Sequence, residues 1–322
     1  MHALPCLTAA LAFVVSINPA MGQQYPAKPV RIVVAFSAGG GTDFMARLIG
    51  QKLTEWWGQQ AVVENRPGAA GTIGADFVAK APPDGYTLML GSINQNALAP
   101  AIYPKLPYNA AKDFSALAYV GYSPNVLVMH PSLPVRSPRE LIALAKARPG
   151  QLASGSSGNG STQHVALEMF MVYTGTKIIH VPYKGSGQAT IDLVAGQVQM
   201  NFDVLPPIIE HIKQGRLRPL AVTTLKRSSR LPEIPTLDES GLKGFEMANW
   251  YGFYGPAGLS RELVVRLNAD FNRALQDATV GRRLTEAGNE IAPGTPESFD
   301  AYTHAEIVKY EKLVKTVGIR LD

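Results

Sequence analysis

The chain has 322 residues, 46% of them hydrophobic and 17% charged, and 30 Lys and Arg against 25 Asp and Glu give a formal charge of +5. This composition is globular, neither disordered nor polytopic, and the length suffices for two domains with a core each. The basic excess comes without a basic run or a basic stripe interleaved with aromatics, which argues against nucleic acid as a partner.

Residues 7–17 are predominantly apolar, too short a stretch to span a bilayer but suited to the centre of a secretory signal. Ala20-Met21-Gly22 then places small residues where a signal peptidase reads. Residues 1–22 are therefore expected to be removed. No Lys or Arg precedes the stretch, and a buried amino-terminal helix is the alternative. Cys6 lies inside this segment and is the only cysteine. The mature chain would then have neither thiol chemistry nor disulfides, and would suit an oxidising compartment. No later stretch reaches the length of a membrane span. A soluble periplasmic protein is expected.

Residues 30–35 (VRIVVA) are β-branched and continuous, the pattern of a buried strand. A glycine-rich turn and a helical pattern to about Trp57 follow, which is the opening of an α/β unit. The alternation continues with strands at 61–64 and 87–90 and a helix at 73–80. Strands at 117–120 and 126–129 come next, with a separation near residues 122–125. Ser137-Pro138-Arg139-Glu140 combines an N-cap, a proline at the first helical position and a capping-box glutamate, predicting a helix to Arg148. Strands are expected at 151–153, 177–181, 198–203 and 219–223, with helices at 163–173, 185–195 and 206–214. A strand at 250–254 and two long helices, opening at Ser260 and at Thr295-Pro296-Glu297, complete the chain. The alternation predicts parallel sheets covered on both faces, in two α/β lobes between which the chain crosses twice.

In such sheets ligands bind at the carboxyl ends of strands. Three loops there carry chemistry. In Phe36-Ser37-Ala38-Gly39-Gly40-Gly41-Thr42-Asp43, three glycines bring backbone amides close to a ligand at a helix start, with the Thr42 hydroxyl beside them. The spacing is neither that of a P-loop nor G-x-G-x-x-G, so nucleotide binding is not indicated. Asp43 stands four residues before Arg47, the spacing of a local cap and ion pair, or it could receive a ligand amine. The stretch Ser154-Gly155-Ser156-Ser157-Gly158-Asn159-Gly160-Ser161-Thr162-Gln163-His164 offers neutral donors to a carboxylate, or is a flexible connection. Tyr183-Lys184-Gly185-Ser186-Gly187 repeats the arrangement after the next strand, with Lys184 either a solvated charge or a long-range attractor of anions. A catalytic set of Ser161, His164 and Asp203 can be drawn, but no G-x-S-x-G elbow accompanies it. The six histidines form no metal-ligand spacing.

Several stretches together resemble the Bug/TctC family, the periplasmic receptors of tripartite tricarboxylate transporters: YPAKPVRIVVAFSAGGGTDFMARLIG, VVENRPGAAGTIGADFVAKAPPDGYTL, GSSGNGSTQHVALEMF, HVPYKGSGQATIDLVAGQVQMNFD, RPLAVTT with EIPTLDESG, and NWYGFYGPAG. The resemblance covers essentially the whole mature chain. It implies a type II periplasmic-binding-protein fold, two α/β lobes with a ligand cleft between them, residues 23–123 and 248–322 forming one lobe and 124–247 the other. It implies binding without catalysis and without a cofactor, of a small organic carboxylate held by amides, hydroxyls and waters. The implied first-lobe contacts are Phe36, Ser37, Ala38, Gly39, Gly40, Gly41, Thr42, Asp43 and Asn94. Those of the second lobe are Ser156, Ser157, Ser161, Thr162, His164, Tyr183 and Asp203. Ser37 stands where the family often has proline, and Gln95-Asn96 is atypical. The implied role is a monomeric receptor feeding a membrane transporter. The alternatives are an orphan sensor acting through signalling subunits and an exported serine hydrolase.

Overall fold

The computed structural model describes residues 25–103 and 105–317, so the expected export signal lies outside the described residues. Strand β1 (Val30–Val34) is buried at every position but Arg31, as a strand covered on both faces must be. It turns through Gly39, whose φ of +85° is left-handed and suits glycine, into α1 (Gly41–Trp57). Next come β2 (Ala61–Asn65), α2 (Thr72–Ala79) and β3 (Thr87–Ser92), with β1 parallel to both strands. β3 runs into a π-helical turn, Asn94–Leu98, and the short helix α3 (Ala99–Ile102).

β4 (Phe114–Met129) is one continuous strand of 16 residues, where the sequence pattern shows two. Residues 114–124 pair antiparallel with β9 (Ala248–Pro256), and residues 125–129 pair with β7 (Met200–Val204). β8 (Arg218–Val222) joins along the other edge of the same segment. Pro124 has no N–H to give and stands where the ladder to β9 ends. The apparent break is thus a change of partner without a change of direction. It also makes the sheets mixed, against the parallel arrangement that the alternation predicts: β4 and β9 run antiparallel to each other and to their other neighbours.

Beyond β4, α4 (Pro138–Ala147) begins at the predicted cap. Ser137 Oγ accepts from the Glu140 N–H at 3.2 Å while Glu140 Oε2 accepts from the Arg136 N–H at 2.8 Å; such caps contribute about 1 kcal/mol. β5 (Ala153–Ser156), α5 (Thr162–Thr174), β6 (Ile179–Pro182), α6 (Ser186–Val194), β7 and α7 (Leu205–Lys213) continue the alternation. After β9 there are three helices where the sequence predicts two: α8 (Arg261–Gln276), α9 (Ala278–Glu286) and α10 (Pro296–Val317), with β10 (Glu290–Ile291) between the last two. Asp277 makes the extra boundary, its Oδ1 accepting from the N–H groups of Thr279 at 3.0 Å and Val280 at 3.1 Å.

The strand order is β2-β1-β3-β9-β4-β7-β5-β6. On one side of β4 the core is built around β9, where Phe253 stacks on Phe271 of α8 at 3.8 Å between ring centroids. A Cβ on Gly252 would overlap the Phe299 ring, so only glycine lets α10 lie this close to β9. On the other side Phe170 of α5 packs on Phe202 of β7. Each such ring removes enough apolar surface from water to contribute about 1.5–3 kcal/mol. Among the described residues no helix is long and apolar enough to cross a membrane.

Candidate ligand-binding site

The loops at the carboxyl ends of β1, β3, β5, β6 and β7 meet around a cavity of about 410 Å³. One wall is Phe36, Ser37, Ala38, Gly39, Gly40, Gly41 and Thr42, with Asn94 beside them. The facing wall is Ser157, Thr162, Gln163, Gly185, Ser186, Gly187 and Gln188, with Ile191, Val204 and Lys184 at its margins, and β9 contributes Asn249 and Tyr251.

Helices α1, α5 and α6 all begin in this lining. The first N–H groups of a helix have no acceptor within it, and its start carries about half a positive charge. The N-caps of α1 and α6 are Gly40 and Gly185, and neither helix has a side-chain cap. Their orphan donors are therefore available to a ligand. No Asp or Glu lines the cavity, and Lys184 is its one charged side chain. Tyr251 is buried, which pushes its phenol well above the usual range and keeps it a neutral hydrogen-bonding group. The surroundings suit an anion.

Hydrogen bonds cross the cleft. The Thr162 N–H donates to Asn94 Oδ1 at 2.9 Å, and Ser37 Oγ donates to the Lys184 carbonyl at 3.1 Å. These tie the start of α5 and the loop after β6 to the loops after β3 and β1.

Behind the walls lies a layer of braces. Asp43 is buried and accepts from the Gly39 N–H (3.0 Å), Asn65 Nδ2 (2.9 Å) and Arg47, whose Nε and Nη2 each lie at 2.9 Å. Burial works to raise its pKa, but these hydrogen bonds and the Arg47 charge outweigh it and hold the carboxyl below its ordinary value. The carboxylate thus fixes the glycine turn from outside the cavity. Asp203 plays the same part across the cleft. It accepts from Gln163 Nε2 at 2.6 Å, Thr190 Oγ1 at 2.9 Å and the Val204 N–H at 2.9 Å. Complete burial raises its pKa to about 6 despite those donors. Gln163, so held, accepts from the Ser157 N–H through Oε1.

Ser156 is bonded to His180, Oγ to Nε2 at 2.6 Å, and the His180 ring stacks on His164 at 4.0 Å between centroids. Burial, with the neighbouring His164, pushes the His180 pKa down to about 4. His164 Nδ1 accepts from the Gly160 N–H at 3.1 Å, and Ser161 Oγ caps α5 by accepting from the His164 N–H at 3.3 Å. Ser161, the His164 ring and Asp203 are therefore each engaged elsewhere and form no relay. Among the described residues no group of His, Cys, Asp and Glu could hold a metal ion.

The structure thus brings Phe36 through Thr42, Asn94, Ser157 and Thr162 together on the cavity. Asp43, Ser156, Ser161, His164 and Asp203 fall outside its lining, engaged as braces and caps. Tyr183 faces an adjoining chamber, its hydroxyl donating to Asp192 Oδ2 at 2.7 Å. Burial and that carboxylate push the phenol pKa up to about 12. Of the lining residues that the sequence argument does not single out as contacts, Gln163 and Gln188 lie in the first turns of α5 and α6, a position that could have flagged them. Asn249 is a polar residue leading an aromatic run, which could have flagged it. Ile191, exposed on α6, and Val204 had no such signal.

These facing walls around an anion-friendly cavity are those of a solute-binding protein, and comparison with known proteins names the kind. Residues 45–319 match the tripartite tricarboxylate transporter family receptor, TctC, and the chain belongs to that family of periplasmic solute-binding receptors. Protein BugT of Bordetella pertussis is 38% identical over 304 residues, 94% of this chain and 93% of that protein. Among solved structures, R. palustris Rpa4515 with adipate aligns at a TM-score of 0.88 and 40% identity, covering 92% of this chain and 99% of that one. MatC (Rpa3494) from Rhodopseudomonas palustris with bound malate aligns at 0.85 and 31% identity, covering 90% of this chain and 100% of that one.

Proposed function

We propose that this protein is exported through residues 1–22 and, as a monomer, captures a small organic carboxylate for a membrane transporter of the tripartite tricarboxylate type. The observation that carries this is the convergence of three helix starts, two of them without side-chain caps, on a cavity with no acidic lining. A carboxylate there accepts from N–H groups at the start of α1 and α6 and from the hydroxyls of Thr42 and Ser157. Three or four such bonds, at about 1.5–3 kcal/mol each, are enough for roughly −8 kcal/mol, about micromolar affinity. The adipate and malate held by the relatives make dicarboxylates the first acids to try. Residues 23–123 with 248–322, and residues 124–247, are the two lobes on this reading, and the change of partner along β4 at Pro124 is one of the crossings between them.

Isothermal titration calorimetry across mono-, di- and tricarboxylates, aromatic acids and amino acids tests the reading. At least one acid binds with a Kd of about micromolar order. Absence of heat for every acid at millimolar concentration overturns it.

A further inference from the structure

Asn159-Gly160 is the one Asn-Gly pair in the sequence. It lies in the loop between β5 and α5, where Asn159 is exposed and Gly160 is buried. An asparagine side-chain amide is open to attack by the backbone nitrogen of the next residue, and glycine, with no Cβ, crowds that nitrogen least. The attack needs the nitrogen to lose its proton. Here the Gly160 N–H donates to His164 Nδ1 at 3.1 Å. Glu168 Oε1 lies 3.5 Å from the other ring nitrogen, Nε2, which favours a ring proton there and leaves the Nδ1 lone pair to Gly160. The His164 ring is held flat against His180 at 4.0 Å between centroids. Nucleophile, base and orienting carboxylate thus follow one another, the arrangement by which a weak nucleophile is activated.

We infer that Asn159 is a site of self-catalysed deamidation. His164 Nδ1 takes the Gly160 amide proton as that nitrogen bonds to Asn159 Cγ. The Cγ–Nδ2 bond then breaks, the proton passes to the departing nitrogen, and ammonia leaves a succinimide behind. Water opens the ring at either carbonyl, giving an aspartyl or an isoaspartyl residue at position 159. The net change is amide plus water to carboxyl plus ammonia, with no oxidant or reductant. Asn159 lines a chamber of about 660 Å³ that adjoins the first and shares Ser157 and Lys184 with it, and neither lining contains an acidic residue. Deamidation places a carboxylate there, against an incoming anion. The Asn159 carbonyl also accepts from the Tyr103 hydroxyl at 3.4 Å, a contact that an isoaspartyl linkage, longer by a methylene, displaces. The loss of acid affinity that follows rests on the carboxylate reading, whereas the modification itself does not.

Incubation of the folded, full-length mature protein at neutral pH, followed over time by peptide mass spectrometry with isoaspartyl detection, tests this. Asn159 gains the mass of deamidation before any other asparagine, and at least as fast as in the same chain unfolded in urea. His164→Gln slows the folded protein by at least about tenfold, with a thermal melt to show that the variant is folded. Should it not fold, the comparison of folded and unfolded wild type decides alone. The deamidated fraction, separated by ion exchange, binds the tightest acid of the calorimetric panel about fivefold more weakly, the order of a partly solvated like-charge contact. Asn159→Asp reproduces the part of that loss due to charge. Deamidation slower in the folded than in the unfolded chain, or a rate unchanged in folded His164→Gln, overturns the inference. Unaltered affinity in the deamidated fraction overturns its consequence for binding. If the unmodified protein binds no acid, the carboxylate reading fails while the mass measurement still decides the modification.

Discussion

The loops after β1 and β5 occupy equivalent places, each joining a strand to a helix on one wall of the same cleft. The first is made of glycines and presents its backbone, and a buried carboxylate, Asp43, fixes it from behind. The second is rich in hydroxyls, yet most of them are spent inside its own wall. Ser156 holds His180, Ser161 caps α5, and what remains for the cavity is Ser157, Thr162 and Gln163. A loop dense in serine is thus no measure of the donors it offers. Glycine leaves backbone N–H groups unclaimed, whereas a hydroxyl beside a helix start tends to claim them as a cap.

This contrast can be broken by substitution on each wall. The largest effect is expected at Gly40. A Cβ there meets nothing closer than the Ser37 carbonyl at 3.7 Å, so the backbone tolerates a side chain that then fills the cavity. Gly40→Phe should weaken acid binding by more than about 100-fold while shifting Tm by only about 2 °C. Equal damage to folding and binding, compared by calorimetry and thermal melts, would contradict the cradle role.

Asp203→Ala comes next, because it strips the acceptor from Gln163 and Thr190 in a fully buried place. A loss of about 2–4 kcal/mol in denaturant unfolding is expected, with weaker binding as Gln163 comes loose. Unchanged stability would remove Asp203 from its bracing role. Asn94→Ala removes the cross-cleft bond to Thr162 and should cost about tenfold in affinity, with a larger radius of gyration in small-angle scattering of the ligand-bound protein. An unchanged closed shape would show that other contacts hold the cleft.

Acid should separate the braces of the second wall. The folded pKa of His180 is lowered from 6.5 to about 4, so its contribution to stability is present above about 6.5 and is lost as pH falls toward 4. The Asp203 value is raised from 3.8 to about 6, so its contribution is full below 3.8 and is lost as pH rises through 6. The two oppose each other between pH 4 and 6.5. From pH 7 to roughly 4.5, the Tm of His180→Gln should rise relative to wild type and that of Asp203→Asn should fall. The same sign in both variants would break this assignment. The smallest effect is expected for Ser156→Ala, less than threefold in affinity, since its hydroxyl faces His180 and its own turn.

Much of this was legible in the chain, for reasons that are local. The buried run at β1, the cap at Ser137 and the glycines before α1 are dictated by neighbours in sequence. The extra helix at Asp277 was missed although its cap is local, because a short amphipathic segment directly after a longer one reads as its continuation. The unbroken β4 and the antiparallel placement of β9 depend on pairing between segments more than a hundred residues apart, which no local pattern encodes. Asn249 and Tyr251 reach the cavity through that same pairing. Asp43, Ser156, Ser161, His164 and Asp203 were legible as residues near the site, but whether a side chain faces a ligand or supports one that does is set by three-dimensional hydrogen bonding.

The central claim is that the helix starts of α1 and α6 hold a carboxylate. A crystal structure of the protein with the tightest-binding acid from the calorimetric panel tests it most directly. A carboxylate within about 3 Å of the N–H groups at Gly41, Thr42, Ser186 or Gly187 is the predicted result. An acid whose carboxylates all lie away from those groups, with the helix starts facing water, would contradict it.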